Sequence, residues 1–253
     1  MLTDAQLMRY NRQILLHEFD IAGQERLQRA SVLVVGLGGL GCPAALYLAA
    51  AGVGELVLVD GDAVELSNLQ RQIAHTEKDI GTNKARSAAA AIAALNPQTK
   101  LEVIEKELTE PAMPAVLSRV QLVIDATDNY PVRFALNRAC IAAGVPMVSA
   151  AAVRSEGQLA VFDPLRGGPC YACLYTEGDD DTALSCSESG LLAPLVGVVG
   201  SLQAMEALKI LSGFGEPLRG KLLAIDLRCM EFRELVLPVR ADCPACAHLS
   251  PTG

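Results

Sequence analysis

The sequence predicts an α/β protein with a Rossmann-like, mostly parallel sheet extended by antiparallel C-terminal strands. Three observations carry that prediction. Short apolar runs alternate with helix-forming runs over the first 150 residues, which is the pattern of βαβ units. A glycine-rich turn, Gly36-Leu37-Gly38-Gly39-Leu40-Gly41, joins the first such strand to the first such helix. Beyond residue 150, strand-like runs follow one another without full-length crossover helices.

The elements follow in order. The stretch Asp4–Arg29 is polar and periodic enough for one or two helices. Ser31–Val35 (SVLVV) reads as a buried strand, and Cys42–Ala51 as a helix with Pro43 tolerated in its first turn. Glu55–Asp60 is a second strand. Asn83–Leu95 is an Ala-rich helix stopped by Asn96-Pro97. Leu101–Glu105 and Gln121–Thr127 are strands, Arg133–Ala143 a helix and Pro146–Ala150 a fifth strand. Gln158–Phe162, Lys221–Ile225 and Phe232–Leu237 are further strands, with one long helix over Ala193–Leu211 among them. The simplest organisation is one domain over residues 1–253, with a nucleotide-binding half to residue 150 and a substrate-handling half on the same sheet.

Composition narrows the function. With 253 residues, 51% hydrophobic and 20% charged, the chain is globular rather than disordered. Aromatics are only 4% and Trp is absent, so the core is aliphatic. A formal net charge of −8 argues against a protein that coats nucleic acid. The uncharged stretch from Ala30 to Gly54 has the length of a membrane span, but five residues, Gly36, Gly38, Gly39, Gly41 and Pro43, interrupt it where a strand turns into a helix. No secretory signal is visible, and a cytoplasmic, non-membrane protein is expected.

The glycine loop fits phosphate binding: glycines let the backbone approach an anion, and the helix N-terminus supplies donors. Asp60 ends the next strand, where an acid bonds ribose hydroxyls. These features alone do not separate NAD from ATP. The next segment does. Asp60-Gly61-Asp62 is followed by Ser67, Asn68, Leu69, Gln70 and Arg71, then by Lys84; Asp128-Asn129 follows the fourth strand. Hydride transfer needs few cations, whereas breaking the α–β bond of ATP needs cations on the triphosphate and an acid for Mg²⁺. Arg71 and Lys84 supply the first and Asp128 the second. An NAD-dependent oxidoreductase and a non-catalytic scaffold are the competing readings.

Taken together, these residues resemble the MoeB/ThiF family, the adenylyltransferases of ubiquitin-like sulfur-carrier proteins. The resemblance spans essentially the whole chain. It includes Arg9-Tyr10-Asn11-Arg12-Gln13-Ile14, the loop Gly36–Gly41, Ser67–Gln72, Ala126-Thr127-Asp128-Asn129 and Gly200-Ser201-Leu202-Gln203-Ala204-Met205-Glu206-Ala207, besides two Cys-x-x-Cys pairs. It implies ATP held by the glycine loop, Asp60, Asp62, Ser67–Arg71, Lys84, Asp128 and Asn129, with Mg²⁺ on Asp128. It also implies a homodimer in which Arg12 reaches the neighbouring active site, and a carrier ending in Gly-Gly whose C-terminal carboxylate is adenylated. Molybdopterin synthesis is the favoured pathway and the thiamine carrier the alternative. The sulfur donor is expected to be a separate species.

The chain has eight cysteines. Cys170-Tyr171-Ala172-Cys173 and Cys243-Pro244-Ala245-Cys246 have the chelating spacing of zinc knuckles, and together would close a structural Zn²⁺ site. A redox pair and unrelated thiols are the alternatives. Cys186 follows the acidic stretch 177–181 and is a candidate for acyl or sulfur transfer, a link that the resemblance implies for the ThiF branch and not for the MoeB branch. Cys42, Cys140 and Cys229 read as helix, core or strand positions. His17, His75 and His248 share no spacing for a metal or acid–base set.

Overall fold

The computed structural model describes residues 1–178 and 190–249. Three short helices, α1 (Asp4–Arg9), α2 (Asn11–Ile14) and α3 (Asp20–Arg29), replace the one or two expected at the N-terminus. The break after α1 comes from Tyr10, which turns inward: its hydroxyl accepts from Asn96 Nδ2 at 2.9 Å. Gln13 Nε2 and Gln24 Nε2 both donate to Ala51 O, at 2.7 and 3.0 Å.

The alternating part then runs β1 (Ser31–Val35), α4 (Gly41–Ala50), β2 (Glu55–Val59), α5 (Lys84–Leu95), β3 (Lys100–Ile104), α6 (Met113–Leu117), β4 (Leu122–Asp125), α7 (Tyr130–Ala143) and β5 (Met147–Val153). Helix α7 starts three residues before the expected Arg133, because Asn129 caps it through Val132 N–H and Pro131 suits its first turn. The rest is β6 (Glu156–Phe162), α8 (Tyr171–Leu174), α9 (Ala193–Ser212), β7 (Lys221–Asp226) and β8 (Glu231–Val236). The short helices α6 and α8 were not expected from the sequence.

The eight strands of the described residues form one sheet in the order β3-β2-β1-β4-β5-β6-β7-β8. The pairings from β3 through β5 are parallel, and those from β5 through β8 antiparallel. Helices cover both faces. One apolar cluster lies under α3, α4, α5 and α9 and includes Leu27, Leu48, Ile92 and Val199. The other lies under α6, α7 and α8 and includes Leu117, Phe134, Met147 and Tyr171.

The segment from Ala30 to Gly54 is β1, the glycine turn and α4. Among the described residues, the helix long and apolar enough to cross a membrane is instead α9, and half of its apolar window is buried inside the protein. It packs across α4 at Gly200, where a Cβ would stand 2.4 Å from Leu40 O. Gln203, one turn on, donates to Asp125 O at 2.8 Å. The helix thus clamps the glycine turn onto the sheet.

This contact makes a paired stability prediction. Gly200→Ala should destabilise the protein by about 1–3 kcal/mol through overpacking. Gly197→Ala, on the same helix with nothing within 4 Å of its Cβ position, should stabilise it by about 0.5–1 kcal/mol. Urea titrations of the two variants check the opposite signs.

Candidate active site

The chain leaves β1 toward β2 on one side, while β4 lies on the other, so the strand order reverses between β1 and β4. Ligands of open α/β sheets bind outside the carboxyl ends of strands at such a point. A cavity of about 510 Å³ lies there. Its lining brings together Gly36, Gly38 and Gly39 with Asp60, Asp62, Asn68, Arg71, Lys84, Asp128 and Asn129. Gly41, Ser67, Leu69, Gln70 and Arg12 were expected at the site and do not line it.

The glycines differ in what demands them. Gly36 has φ +90°, and a Cβ there would stand 2.7 Å from Ala126 O. At Gly41 a Cβ would fall 1.8 Å from Gly36 O. Both are required by the turn itself. Gly38 has no such neighbour: its Cβ would meet only Gln72 Nε2, at 3.6 Å. Its open side is the cavity, which is the geometry for close approach of an anion to backbone N–H groups.

Asp60 braces this loop. One of its oxygens accepts from Leu37 N–H at 2.7 Å and the other from Asp62 N–H at 2.8 Å. Burial pushes its carboxyl above the usual range, and those two N–H groups pull it back toward the charged form. Lone pairs remain for ribose hydroxyls. Buried Lys84 opens α5 and holds Asp62 Oδ2 at 2.7 Å. Arg71 Nη1 donates to Ser67 O at 3.0 Å, so Ser67 and its neighbours act as a backbone brace for Arg71. Across the cavity, Asp128 is exposed and makes no hydrogen bond or ion pair among the described residues. A carboxylate that lines one cavity with a lysine and an arginine suits a metal-bound polyphosphate. Arg12 sits exposed on α2, also without an ion pair among the described residues.

Sequence reasoning missed Arg133. It is buried, lines the cavity, and donates through Nη2 to Thr127 O and to Ala150 O, the latter at 2.8 Å. Its Nε lies 3.7 Å from the buried Asp125 carboxylate. Burial opposes the charge, but Asp125 outweighs it and holds the guanidinium protonated. Its position four residues after Asn129, inside a helix, resembled any amphipathic arginine. A second cavity of about 410 Å³ adjoins the first over β5–β8 and shares Tyr130, Arg133 and Ala151–Val153 with it.

The four paired cysteines meet on the other face of the sheet. Cys170–Cys243 and Cys173–Cys246 sulfurs are each 3.5 Å apart, Cys170–Cys173 sulfurs 3.9 Å, and all four lie within 4.8 Å of one another. A tetrahedron of Zn–S bonds of about 2.3 Å has edges of about 3.8 Å, so the donor set fits such an ion. All four are buried, and burial pushes the Cys170 thiol up to about 11. Only a cation would make such a set of thiolates stable. Cys42 and Cys140 are buried as expected, whereas Cys229 is exposed in the turn between β7 and β8, where neither core nor strand claims it. Cys186 lies outside the described residues.

The ThiF family pattern matches residues 10–245. Molybdopterin-synthase adenylyltransferase of Escherichia coli (strain K12) is 48% identical over 247 residues, covering 98% of this chain and 99% of that protein. The sulfur carrier protein ThiS adenylyltransferase of the same strain is 43% identical over 245 residues, covering 97% of each. Among solved structures, E. coli MccB with ATP superposes with a TM-score of 0.82 at 23% identity, over 94% of this chain and 74% of that one, which is a likeness of fold. The chain belongs to the ThiF family.

Proposed function

We propose that this protein is an ATP-dependent adenylyltransferase that activates the C-terminal glycine of a ubiquitin-like sulfur-carrier protein, with molybdopterin synthesis as its pathway. One observation carries the reading. The cavity at the strand switch point joins an open glycine loop, two cations and an acid unpaired among the described residues. A nicotinamide site has no use for that charge pattern. The higher identity to the molybdopterin-pathway relative, 48% against 43% for the thiamine-pathway one, favours the first pathway.

In this reading the carrier tail lies in the second cavity and meets the nucleotide near Arg133. A carboxylate oxygen of the terminal glycine attacks the α-phosphorus of ATP. The bond from that phosphorus to the bridging oxygen breaks, and pyrophosphate leaves with the electron pair. No proton needs to move, because the attacking group is already ionised. The enzyme's work is therefore alignment and charge stabilisation. Gly38 and Gly39 offer backbone donors, Asp60 the ribose contact, and Arg71 and Lys84 offset the leaving charge. Asp128 would hold Mg²⁺, which neutralises the phosphates when bound. Residues 1–150 form the nucleotide half, and 151–253 the carrier and zinc half.

Arg12 is exposed and does not line its own cavity, and we assign it to the neighbouring site of a homodimer. The cysteine cluster would hold Zn²⁺ as a closed structural site. The sulfur donor is a separate species, Cys186 a candidate acceptor in transfer, and the protein cytoplasmic.

ATP–pyrophosphate exchange tests the reading, run with a molybdopterin-type carrier, a thiamine-type carrier and no carrier. Exchange with the first carrier alone is expected, and exchange with neither overturns the adenylation reading for both. Asp128→Asn should lower exchange by about 100-fold or more. Mixing Arg12→Ala with Asp128→Asn protein should restore about one quarter of wild-type activity, because half of the dimers then hold one intact site. An Arg12 acting within its own chain would give no restoration. Elemental analysis should find about one zinc per chain, lost together with thermal stability in Cys243→Ser.

A further inference from the structure

His75 is a buried histidine outside the cavity lining, and no step above uses it. Its ring joins elements that the cavity needs in fixed relation. Nε2 lies 3.0 Å from Leu37 O in the glycine loop. Nδ1 lies 2.8 Å from Ser87 Oγ, one turn along α5 from Lys84. The backbone N–H of His75 donates to Gln72 O at 3.1 Å, next to Arg71. A carbonyl can only accept, so Nε2 carries the proton and Nδ1 accepts from the Ser87 hydroxyl. Burial holds the ring's pKa below its ordinary value, which favours this neutral form.

Leu37 is restrained at both backbone groups. Its N–H donates to Asp60 Oδ2, and its carbonyl accepts from His75 and from the Cys42 thiol at 3.2 Å. Burial pushes that thiol up to about 12, so it stays a neutral donor. A trans peptide is planar, with N–H and C=O on opposite sides. With Leu37 C=O turned toward His75, the N–H of Gly38 faces the other way. That N–H makes no hydrogen bond to protein among the described residues, and Gly38 lines the cavity.

We propose that His75 is a positioning residue for the nucleotide: it turns Gly38 N–H toward the phosphates and ties the glycine loop to the helix that carries Lys84. The proposal rests on the cavity being an ATP site. It goes beyond the residues that touch the nucleotide, and it gives a function to a histidine whose spacing in the chain points to none.

The test compares four proteins by calorimetric titration with Mg²⁺–ATP and by thermal midpoint. His75→Leu removes both ring hydrogen bonds. His75→Gln keeps an amide donor for Leu37 O and an amide oxygen for Ser87. Leu117→Ala is a core deletion in the apolar cluster on the opposite face of the sheet. His75→Leu should weaken ATP binding by about tenfold or more, since it strips a buried carbonyl of a partner. His75→Gln should bind within about threefold of wild type. Leu117→Ala should bind as wild type despite a lower midpoint. In exchange assays, the KM for ATP of His75→Leu should rise much more than its kcat falls. Wild-type affinity in His75→Leu, or a His75→Gln variant as weak as His75→Leu, overturns the proposal. Should His75→Leu fail to fold, Ser87→Ala replaces it, with a loss of about threefold expected and unchanged affinity counting against the proposal. A wild-type protein that binds no ATP overturns the nucleotide reading itself, which separates the two failures.

Discussion

The buried carboxylate of Asp125 is the contact on which the switch point depends. It accepts from Ser149 Oγ at 2.6 Å on β5, and from Thr127 N and Oγ1 at 3.1 and 2.8 Å. Arg133 of α7 supplies the opposing charge, and Gln203 of α9 bonds the backbone oxygen of the same residue. Four elements therefore converge on one fully buried residue. A buried carboxylate without its partner would cost several kcal/mol, so β4, β5, α7 and α9 hold one mutual arrangement. Residues 126–129 leave directly from this knot. That is how an exposed acid such as Asp128, with no bond of its own among the described residues, is still presented at a defined place.

The cavity is lined both by firmly held groups such as Asp60 and Arg133 and by weakly held ones. Lys84 is held by Asp62, whose side chain is 73% exposed. An ion pair with one partner in water is worth little. An anion entering the cavity can therefore take Lys84 from Asp62 at small cost. Asp60 is different: both oxygens are committed to backbone N–H groups, so it serves the loop whether or not a ribose is bound. The cavity thus combines a fixed backbone cradle with cations that are free to be recruited.

The sequence made the sheet legible because burial on both faces leaves near-continuous apolar runs such as SVLVV and ELVLV. The glycine loop was legible because a strand, a turn and a helix N-terminus must follow one another locally. The cysteine cluster was legible through its spacing, even though 73 residues separate Cys170 from Cys243. What stayed hidden depends on contacts between distant segments. His75 finds its partners at Leu37 and Ser87, and Gln203 finds its partner 78 residues away. Nothing in the local pattern distinguishes those residues from ordinary buried polar groups. The helices α6 and α8 are too short for a period to emerge. Arg12 is placed in the fold only by what surrounds it: Tyr10 and Gln13 face inward, and this leaves it outward.

The cysteine cluster and the switch-point cavity lie on different parts of the molecule, yet one helix connects them. Helix α7 begins at the cavity, with Asn129 as its cap. Further along, Phe134 packs edge-on against Tyr171 at 5.1 Å, and Asn137 Oδ1 accepts from Tyr171 N–H at 2.9 Å. Tyr171 stands between Cys170 and Cys173. The cluster thus reaches α7 through Tyr171. The cluster fixes the body of α7, and Arg133 and Asp125 fix its start. The same helix that opens at the cavity is therefore held at two points, by an ion pair in its first turn and by the tyrosine between the cysteines at its middle.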